Sequence, residues 1–402
     1  MYGVLVGAYN YWPFHTLDQI KNIVKTFTET GTLSPENLLV IPAQDAPRER
    51  ITTYGASQLQ EGYYAFLGWD NQAKHYTVWI HNHKGEKLHT WKIDYTSLDP
   101  DGPLNGSDMP HGLHILPDGS LILTFEMGDV MARIDGCGKP VWVKNGIFHH
   151  SLEKDDDGNL WTWRGKGSSY GDHQYIVKFD PENGSTLKEI DLMEDIIRPL
   201  GEGASIFNVR PDYKTRDIDK DPPENEDIFH PNDVDVLLSD IEDAFPDFVA
   251  GDLLLSFRKI NLVAVVDQDT KRLKWWSHGP WRFQHDPDYT SEGKISVYNN
   301  NTHRGRSEII KIDPKTREVT NELLNGDINF YNGWMGKHQY LPNGTLLLVS
   351  SGEGRALVLS KNGTKLFEFN NIASAKHNGH VENGLWLPKD YFDSIPSCLM
   401  AN

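Results

Sequence analysis

Apolar and polar residues alternate in short runs along most of the chain, from about residue 61 onward. Asp-Gly, Asn-Gly and Gly-Asn pairs separate the runs, a pattern typical of short β-strands joined by tight turns. The unit HGLHILPDGSLILTFEMGDVMARIDGCGKPVWVK, which starts at His111, predicts four consecutive strands. Further units of the same kind follow along the chain. They start at His150, His230, His285 and His338.

A sixth unit is divided between the two ends of this repeat region. GYYAFLGWD, YTVWIHNHKG and EKLHTWKI predict its second to fourth strands, and KHNGHVENGLWLP, residues 376–388, predicts its first strand. A ring of four-stranded units leaves only short, protected sheet edges. The pattern therefore predicts an all-β fold, a six-bladed β-propeller closed by pairing of N- and C-terminal strands in one blade. Two stacked β-sandwiches are the alternative.

The first 60 residues differ from the repeats. The segment LDQIKNIVKTFTETG has apolar residues at helical spacing, so we interpret residues 1–60 as a short helix and an extended lead-in. Residues 61–402 are assigned to the propeller. Two insertions, residues 191–229 and 239–252, interrupt its repeats, and long structured insertions often form lids or walls of sites.

Composition narrows the possible partners. The formal net charge of −18 argues against nucleic acid, because no basic surface is available to neutralise phosphates. Cys137 and Cys398 allow one disulfide and leave the redox compartment open. No apolar run reaches the length of a membrane span. The start, MYGVLVGAYNYWPFHTL, has no basic leader and is compatible with a signal or membrane anchor that has been removed.

Histidines recur where the repeats begin. In a propeller the first strand of each blade lines the central channel, and the loops that enter first strands lie on the same face as the loops that leave second strands. We therefore expect the histidines that start the units to converge around one mouth of the channel. These are His111, His150, His230, His285, His338 and His377. The ends of second strands add Glu126, Arg164, Arg258, Asn299–Asn301, Ser351 and Glu353.

Imidazoles together with arginines suit an anionic group that has several oxygens. Histidine also acts as a nucleophile, base or acid near neutral pH. A metal site is the main competing hypothesis, since three or four imidazoles can hold iron, copper or zinc. Arg258 would repel a cation, however, and no closely spaced ligand pair is evident, so we assign no metal ligands. Hydrogen-bonded loop histidines without a function are the simplest alternative.

Four segments resemble one known family. They are residues 62–91, FHHSLEKDDDGNLW, FHPNDVDVL followed by LLLSFR, and FQHDPDYTSEGKISVYNNNTHRGR. In this order the segments resemble those of the bacterial arylsulfate sulfotransferases of the PAPS-independent kind, which are built on a six-bladed propeller. The resemblance covers residues 62–390 and fits a divergent branch. HPND differs from the family's usual pattern and brings Asp233 close to the expected site.

The resemblance implies roles for individual residues. His285 matches the family's nucleophile, which takes up the sulfuryl group, and His230 and Arg258 match the residues that hold the sulfate oxygens. His150 matches a further active-site histidine, with His149 as the alternative. We expect Gln284 or Asp286 to fix the tautomer of the nucleophile. The expected substrate-binding residues are His111, His338, Asn232, Asn300, Trp281 and Trp334.

The resemblance also implies an activity. The expected reaction transfers a sulfuryl group from an aryl sulfate to a phenolic acceptor by a ping-pong route through a sulfohistidine. No nucleotide cofactor is expected, since the chain has no P-loop or G-x-G-x-x-G motif. The family suggests a periplasmic or membrane-anchored extracytoplasmic location. Two other functions remain open, a metal-dependent oxidoreductase or lyase that uses the histidine ring and a non-catalytic ligand-binding propeller.

Overall fold

The computed structural model describes residues 39–100, 109–126, 128–168, 171–215, 227–323, 328 and 330–396. The helix predicted within residues 1–60 lies outside these residues. The described part is dominated by short β-strands. In chain order the first thirteen are β1 (Leu39–Val40), β2 (Ile51–Thr53), β3 (Tyr63–Asp70), β4 (His75–Asn82), β5 (Lys87–Ile93), β6 (Pro110–Ile115), β7 (Leu121–Phe125), β8 (Val130–Ile134), β9 (Pro140–Asn145), β10 (Ile147–Lys154), β11 (Leu160–Gly165), β12 (Gln174–Phe179) and β13 (Thr186–Asp191).

The remaining strands continue the same pattern. They are β14 (Pro231–Val236), β15 (Leu253–Phe257), β16 (Leu262–Val266), β17 (Leu273–Ser277), β18 (His285–Tyr289), β19 (Ile295–Asn299), β20 (Glu308–Ile312), β21 (Val319–Asn321), β22 (Lys337–Tyr340), β23 (Leu346–Ser350), β24 (Arg355–Leu359), β25 (Lys365–Asn370), β26 (Asn378–Gly379) and β27 (Val381–Leu387).

The strands form six antiparallel blades. Their strand orders are β27-β3-β4-β5 for blade 1, β6-β7-β8-β9 for blade 2, β10-β11-β12-β13 for blade 3, β14-β15-β16-β17 for blade 4, β18-β19-β20-β21 for blade 5 and β22-β23-β24-β25 for blade 6, where β2 adds a fifth strand beside β25. The predicted six-bladed propeller is confirmed.

Both ends of the described chain close the ring. β27 pairs with β3 in a register that places Leu385 opposite Ala65 and Trp386 opposite Tyr64. This is the N- and C-terminal pairing within one blade that the split repeat predicts. β1 pairs with β26, and β2 pairs with β25, so the N-terminal lead-in also follows the C-terminal part of the ring.

Helical segments are short and lie between strands. They are an α-helix at Tyr95–Leu98, a π-helical segment at Leu192–Ile197, and 3-10 segments at Ala56–Gln58, Arg198–Phe207, Glu242–Ala244, Arg258–Ile260 and Ser351–Glu353. The part of the insertion at residues 192–207 is packed rather than free, since Met193, Ile196 and Phe207 are buried in the core between blades 3 and 4. Among the described residues, no helix has the length and apolar character needed to cross a membrane.

Tryptophans tie neighbouring blades together. The indole N–H of Trp91 in blade 1 donates to the carbonyl of Gly119 in blade 2, at 2.9 Å. Trp163 in blade 3 makes the same kind of bond to the carbonyl of Asp233 in blade 4, also at 2.9 Å. A buried indole needs such a partner, and its ring fills the gap between two sheets. These contacts fix the angle between blades and hence the position of the strands at the channel.

A bulge interrupts the start of the first strand in five blades. In blades 1 to 5 the register of the first strand shifts against the second strand within its opening residues. His150, within the bulge of blade 3, and His230, immediately before the first strand of blade 4, have positive φ values of 60° and 48°, a backbone region that residues other than glycine seldom adopt. A bulge redirects side chains at its position. The first strand of blade 6, by contrast, pairs in regular register throughout its described length.

Candidate active site

Four of the predicted histidines meet at one mouth of the channel. The ring centroids of His111 and His150 are 4.5 Å apart, and those of His150 and His230 are 5.6 Å apart. His285 lies close enough to His230 and His111 for their charges to affect its pKa. We call these four residues the histidine funnel. They come from four consecutive blades, so the propeller, and not sequence proximity, brings them together.

His285 is held in one tautomer by Asn300. Its Nδ1 lies 2.7 Å from Oδ1 of Asn300, and the amide nitrogen of Asn300 donates to the carbonyls of Asn332 and Met335. The amide oxygen must therefore face His285, and Nδ1 of the imidazole must carry the proton. Burial and the charge of Arg258 hold the pKa of His285 well below its usual value. The ring is therefore neutral, with its Nε2 lone pair available.

This assignment corrects one expectation. Gln284 and Asp286 do not fix the tautomer of the nucleophile candidate. The amide of Gln284 donates to Ser256 and to the carbonyl of Leu262, and Asp286 pairs with Lys337. The bulge at residue 286 separates the side chain of Asp286 from that of its neighbour, since Asp286 has a φ of 51°.

His150 is oriented by a chain of two hydrogen bonds. Nε2 of His149 lies 3.0 Å from Oε1 of Gln174, and Nδ1 of His149 lies 2.6 Å from Nδ1 of His150. Nε2 of Gln174 donates to the carbonyl of Gly171 at 2.8 Å, so its oxygen accepts from His149. Burial lowers the pKa of His149 to about 3, and a neutral His149 can then only accept at Nδ1. His150 consequently donates through Nδ1 and keeps a lone pair on Nε2.

The chain of hydrogen bonds from Gln174 through His149 to His150 also distinguishes the two adjacent histidines. His150 contacts His111 and His230 in the histidine funnel, while His149 faces Gln174 behind it. Of the two alternatives, His150 is therefore the residue in the funnel, and His149 supports it.

His230 is paired with a carboxylate. Its Nδ1 donates to Oδ2 of Asp227 at 2.8 Å. Burial lowers the pKa of His230, and Asp227 opposes this by favouring the charged form. A histidine backed by a carboxylate suits a group that takes up and returns a proton. Its backbone carbonyl also accepts from the amide of Arg258 at 3.0 Å, which ties it to the end of the next strand.

Arg258 supplies the positive charge of the site. Its guanidinium carbon lies 4.8 Å from the centroid of the Phe283 ring. Among the described residues, the guanidinium makes no hydrogen bond or ion pair. Burial lowers the pKa of Arg258, and the charges of Asp227 and Glu126 oppose that effect. The fork of donors is therefore available for the oxygens of an anion. Arg164, in contrast, is held by Glu189 at 2.8 Å.

Two buried glutamates face the same place. His111 Nδ1 lies 3.9 Å from Oε2 of Glu126 and 3.9 Å from Oε2 of Glu382. Burial and then the charge of Glu382 raise the pKa of Glu126 to about 8, while burial lowers that of His111 to about 4. Oε1 of Glu382 contacts Nε2 of His380. The funnel therefore combines imidazoles, one guanidinium and buried carboxyl groups.

The expected asparagine ligands have separate roles. Asn300 orients His285, as described above. Asn232 is 3% exposed, and its amide nitrogen donates to the carbonyl of Gln284 at 2.8 Å. Its Oδ1 has no hydrogen-bond partner among the residues that the structure describes. Asn232 therefore links the first strands of blades 4 and 5 next to His230 and His285.

His338 does not join the histidine funnel. Its Nδ1 lies 2.8 Å from Asp286 and its Nε2 lies 2.8 Å from Ser296, so both ring nitrogens are engaged. This geometry does not agree with the expectation that His338 binds substrate together with the other histidines. The regular register of β22 explains the difference, because a strand without a bulge presents its histidine along the channel wall and not at the mouth.

The two tryptophans that were expected to bind substrate lie in different environments. Trp281 is 4% exposed and packs in the core with Trp275 and Tyr289, and its indole donates to the carbonyl of Asn261 at 2.9 Å. We therefore assign Trp281 a packing role. Trp334 is half-buried and packs against the core of blades 1 and 2.

In the closing blade, His380 replaces His377 as the histidine at the first strand. His380 is fully buried immediately before β27 and contacts Glu382, while His377 lies in the preceding turn near Ser374. The segment KHNGH offered two candidates three residues apart. The alternating pattern of VENGLWL could have selected His380, since only that residue directly precedes the strand.

An acid-rich group lies further along the first strands. Lys337 Nζ lies 2.5 Å from Asp286 and 2.9 Å from Asp233. We call Lys337 and its five neighbouring carboxyl groups the acid cluster. The carboxyl groups are Glu153, Asp233, Asp235, Asp286 and Asp288.

The acid cluster titrates unevenly. Burial, with the charges of Asp233 and Asp286 adding to it, raises the pKa of Asp235 to about 7. Lys337 and then His338 outweigh burial at Asp286 and lower its pKa to about 2. Of these carboxyl groups, the sequence analysis named only Asp233 and Asp286, because an acidic residue in a strand pattern usually indicates the solvent face.

Comparisons with known proteins support the fold and identify the family. A protein of unknown function from Bacteroides caccae has a TM-score of 0.51 and 9% identity, covering 79% of this chain and 97% of that one. TolB from Acinetobacter baumannii gives a TM-score of 0.47 and 13% identity, with 82% and 67% covered. The Dos1 propeller gives 0.41 and 11%, with 85% and 77% covered. Only the first score exceeds 0.5, and at this identity it bears on the fold alone.

No curated protein matches the sequence. The sequence profile of the family described as arylsulfotransferase (ASST) matches residues 112–372, more than half of the 402-residue chain. The matched region runs from blade 2 to blade 6 and contains His150, His230, Arg258 and His285. The chain therefore belongs to the arylsulfotransferase (ASST) family.

Proposed function

We propose that the histidine funnel transfers a sulfuryl group from an aryl sulfate to a phenolic acceptor, with His285 as the nucleophile. The observation that carries this proposal is the bond between Asn300 and His285. It leaves the lone pair of the imidazole on Nε2, and burial together with the charge of Arg258 keeps the ring neutral. The unengaged guanidinium of Arg258 lies next to it. A neutral nucleophile beside a fixed positive charge is what attack on an anionic sulfate ester requires.

In the first half-reaction, Nε2 of His285 forms a bond to sulfur while the bond from sulfur to the aryl oxygen breaks. The electron pair of that bond leaves with the oxygen, and the sulfuryl group remains on His285. Arg258 stabilises negative charge on the sulfuryl oxygens and on the leaving oxygen. Preorganised donors of this kind are worth several kcal/mol, since they need no reorganisation during the reaction.

His230 and Asp227 are the proposed acid–base pair. Protonated His230 delivers its proton to the leaving phenolate, and Asp227 stabilises the charged form through the bond to Nδ1. In the second half-reaction, neutral His230 removes the proton of the acceptor hydroxyl as its oxygen attacks sulfur. The sulfuryl group then leaves His285, and the enzyme returns to its starting state. The same pair, His230 and Asp227, therefore serves both half-reactions.

Aromatic side chains near the mouth would hold the aryl ring. The ring of Phe283 lies against the guanidinium of Arg258, and Tyr331 and Trp334 are half-buried in the loop before β22. Offset stacking between such rings and a phenol contributes about 0.5–1.5 kcal/mol beyond area burial. We propose Trp334 as the substrate-contacting tryptophan and leave Trp281 in the core.

The proposed partners are a small-molecule aryl sulfate donor and a phenolic acceptor, without nucleic acid or a nucleotide cofactor. We also propose a periplasmic or membrane-anchored extracytoplasmic location, as in the family. The disulfide bond of Cys137 supports this, because disulfides persist mainly in oxidising compartments.

A turnover assay tests this function. The protein is incubated with 4-nitrophenyl sulfate, and release of nitrophenol is followed with and without added phenol. We expect continuous release and formation of phenyl sulfate only when phenol is present. His285→Asn should abolish the reaction, while His89→Asn, in the outer strand of blade 1, should not. Absence of phenol-dependent turnover over a range of donors would favour a ligand-binding propeller instead.

A further inference from the structure

Two glutamates at the histidine funnel are buried, and they have carboxylate oxygens without hydrogen-bond partners among the described residues. Glu126 is 2% exposed at the end of β7, and neither of its carboxylate oxygens has a hydrogen-bond partner among the described residues. Glu382, in β27, is 3% exposed, and its Oε2 lacks a partner within the same part of the chain. Leaving an ionised carboxylate buried and unpaired costs several kcal/mol. Such groups point to a ligand of opposite charge.

The unpartnered atoms converge on His111. Its Nδ1, also without a hydrogen-bond partner in the described structure, lies 3.9 Å from Oε2 of Glu126 and 3.9 Å from Oε2 of Glu382. These distances are too long for hydrogen bonds. Ligands around a tetrahedral ion with bonds of 2.0–2.2 Å are about 3.4 Å apart. Ligand atoms of His111, Glu126 and His150 all lie within 4.8 Å of one another, so small side-chain rotations would bring them to that spacing.

His150 has the tautomer that a metal ligand needs. The relay from Gln174 through His149 leaves the lone pair on Nε2 of His150, as derived above. Metal-bound histidines almost always donate their other ring nitrogen to such a partner, which fixes the tautomer and the ring orientation. The arrangement of these three residues therefore supplies the outer hydrogen bonds that a metal site needs.

Charge balance also favours a cation. Glu126, Glu382 and Asp227 lie around the funnel together with Arg258. The three carboxyl groups, when ionised, outnumber this guanidinium, so a divalent ion would offset negative charge there. Arg258 therefore does not exclude a cation, contrary to the expectation from sequence, because that expectation did not include the buried carboxylates.

We propose that His111, Glu126 and His150, with Glu382 as a fourth ligand, bind one divalent transition-metal ion. Two imidazole nitrogens and carboxylate oxygens are ligands that suit zinc, iron or manganese. This inference does not depend on sulfuryl transfer. If the proposed function is correct, the ion lies beside the anion-binding mouth.

A second group of candidate ligands is less suitable. Atoms of Asp286, Asp288 and His338 also lie close together. Lys337 already pairs with Asp286, however, and both nitrogens of His338 are engaged by Asp286 and Ser296. The ammonium group of Lys337 already neutralises part of the charge of this group. The group therefore serves as a control site.

Metal content tests the proposal without reference to activity. Untagged protein is stripped of metal with a chelator, incubated with Zn²⁺, Mn²⁺ or anaerobic Fe²⁺, and desalted. Its metal content is then measured by elemental mass spectrometry. Ca²⁺, which prefers all-oxygen sites, serves as the control ion. We expect one equivalent of at least one transition ion and no retained Ca²⁺. Titration with Co²⁺ should give visible absorption bands of a nitrogen- and oxygen-bound ion.

Three variants locate the ion. Glu126→Gln keeps the shape of the side chain and should weaken binding more than tenfold, and Gln174→Ala should weaken it about 10- to 100-fold through loss of the outer hydrogen bond. Asp288→Asn should bind as the parent protein does. If Glu126→Gln does not fold by circular dichroism, His111→Asn takes its place. Failure of the parent to bind any of the three ions, or loss of binding in Asp288→Asn but not in Glu126→Gln or its replacement, overturns the proposal.

Discussion

Oδ1 of Asn300 accepts a hydrogen bond from Nδ1 of His285 at 2.7 Å and so determines which ring nitrogen is free to react. Asn300→Ala should leave both tautomers populated and reduce kcat by about 10²–10⁴-fold, the upper value being that of a wrong tautomer in a serine-protease triad. The neighbouring Asn299 is equally buried but bonds to backbone amides and Glu308. Asn299→Ala should therefore lower the melting temperature without a comparable loss of kcat. Equal kcat values for the two variants would remove Asn300 from the mechanism.

Arg258→Lys keeps the charge of the site but loses the planar pair of donors. If Arg258 binds sulfuryl oxygens in the transition state, the barrier should rise by about 2.7–4 kcal/mol, the usual cost of removing one such donor. Arg282 also lies near the Phe283 ring, at 5.9 Å, but is exposed. Arg282→Lys is the matched control and should retain kcat. A lysine variant at residue 258 with an unchanged kcat would indicate a purely structural role.

The acid cluster predicts that the free energy of unfolding depends on pH. The raised pKa of Asp235, about 7 in the folded protein and about 4 in an unfolded chain, means that the folded state binds more protons between these values. Stability contributed by this group is therefore present at low pH and is lost as pH rises toward 7. Asp286, with a pKa lowered to about 2, has the opposite effect, and its contribution is lost below about pH 4.

We expect the highest stability in mildly acidic solution, between the two effects. Urea unfolding should show a decline in the free energy of unfolding from about pH 5 to pH 7, and the decline should be smaller in Asp235→Asn. Asp240→Asn, at an exposed position, should behave as the parent protein. A decline of the same size in Asp235→Asn would show that other groups cause it.

Closure of the ring depends on β27. Truncation before Lys376 removes this strand, leaves the edge of β3 unpaired and exposes the apolar contacts of Val381 and Trp386. Open edges and an exposed core favour aggregation, so we expect insoluble protein. A soluble monomer that melts cooperatively would contradict closure by this strand. The measurements are size-exclusion chromatography and thermal melting.

The strand pattern predicted the propeller well because alternation and turns are local properties of the sequence. The split repeat even identified β27 and β3 as partners, since a blade that lacks its first strand must find it elsewhere. The position of residues at the channel mouth followed for His111, His150, His230 and His285 for the same reason. Blade geometry places the starts of their strands at the same mouth of the channel.

Features that depend on bulges and on contacts between blades were not predictable. His338 has the same place in its repeat as His285, but β22 lacks the register shift, and its side chain turns to Asp286. The partner of His285 lies 15 residues away across a strand pair, and the adjacent Gln284 and Asp286 were the more obvious candidates. Glu382 and Asp227 were missed because acidic residues near turns usually face solvent.

The covalent intermediate on His285 is the central claim. The protein is mixed with an excess of 4-nitrophenyl sulfate without acceptor, and both nitrophenol release and protein mass are measured. We predict a rapid burst of up to one equivalent of nitrophenol and one added SO₃ unit, labile to acid, on the peptide that contains His285. His230→Asn should slow the burst but permit the adduct, and His285→Asn should show neither. Phenol-dependent turnover without burst or adduct, or turnover that persists in His285→Asn, would contradict the assignment of His285 as the nucleophile.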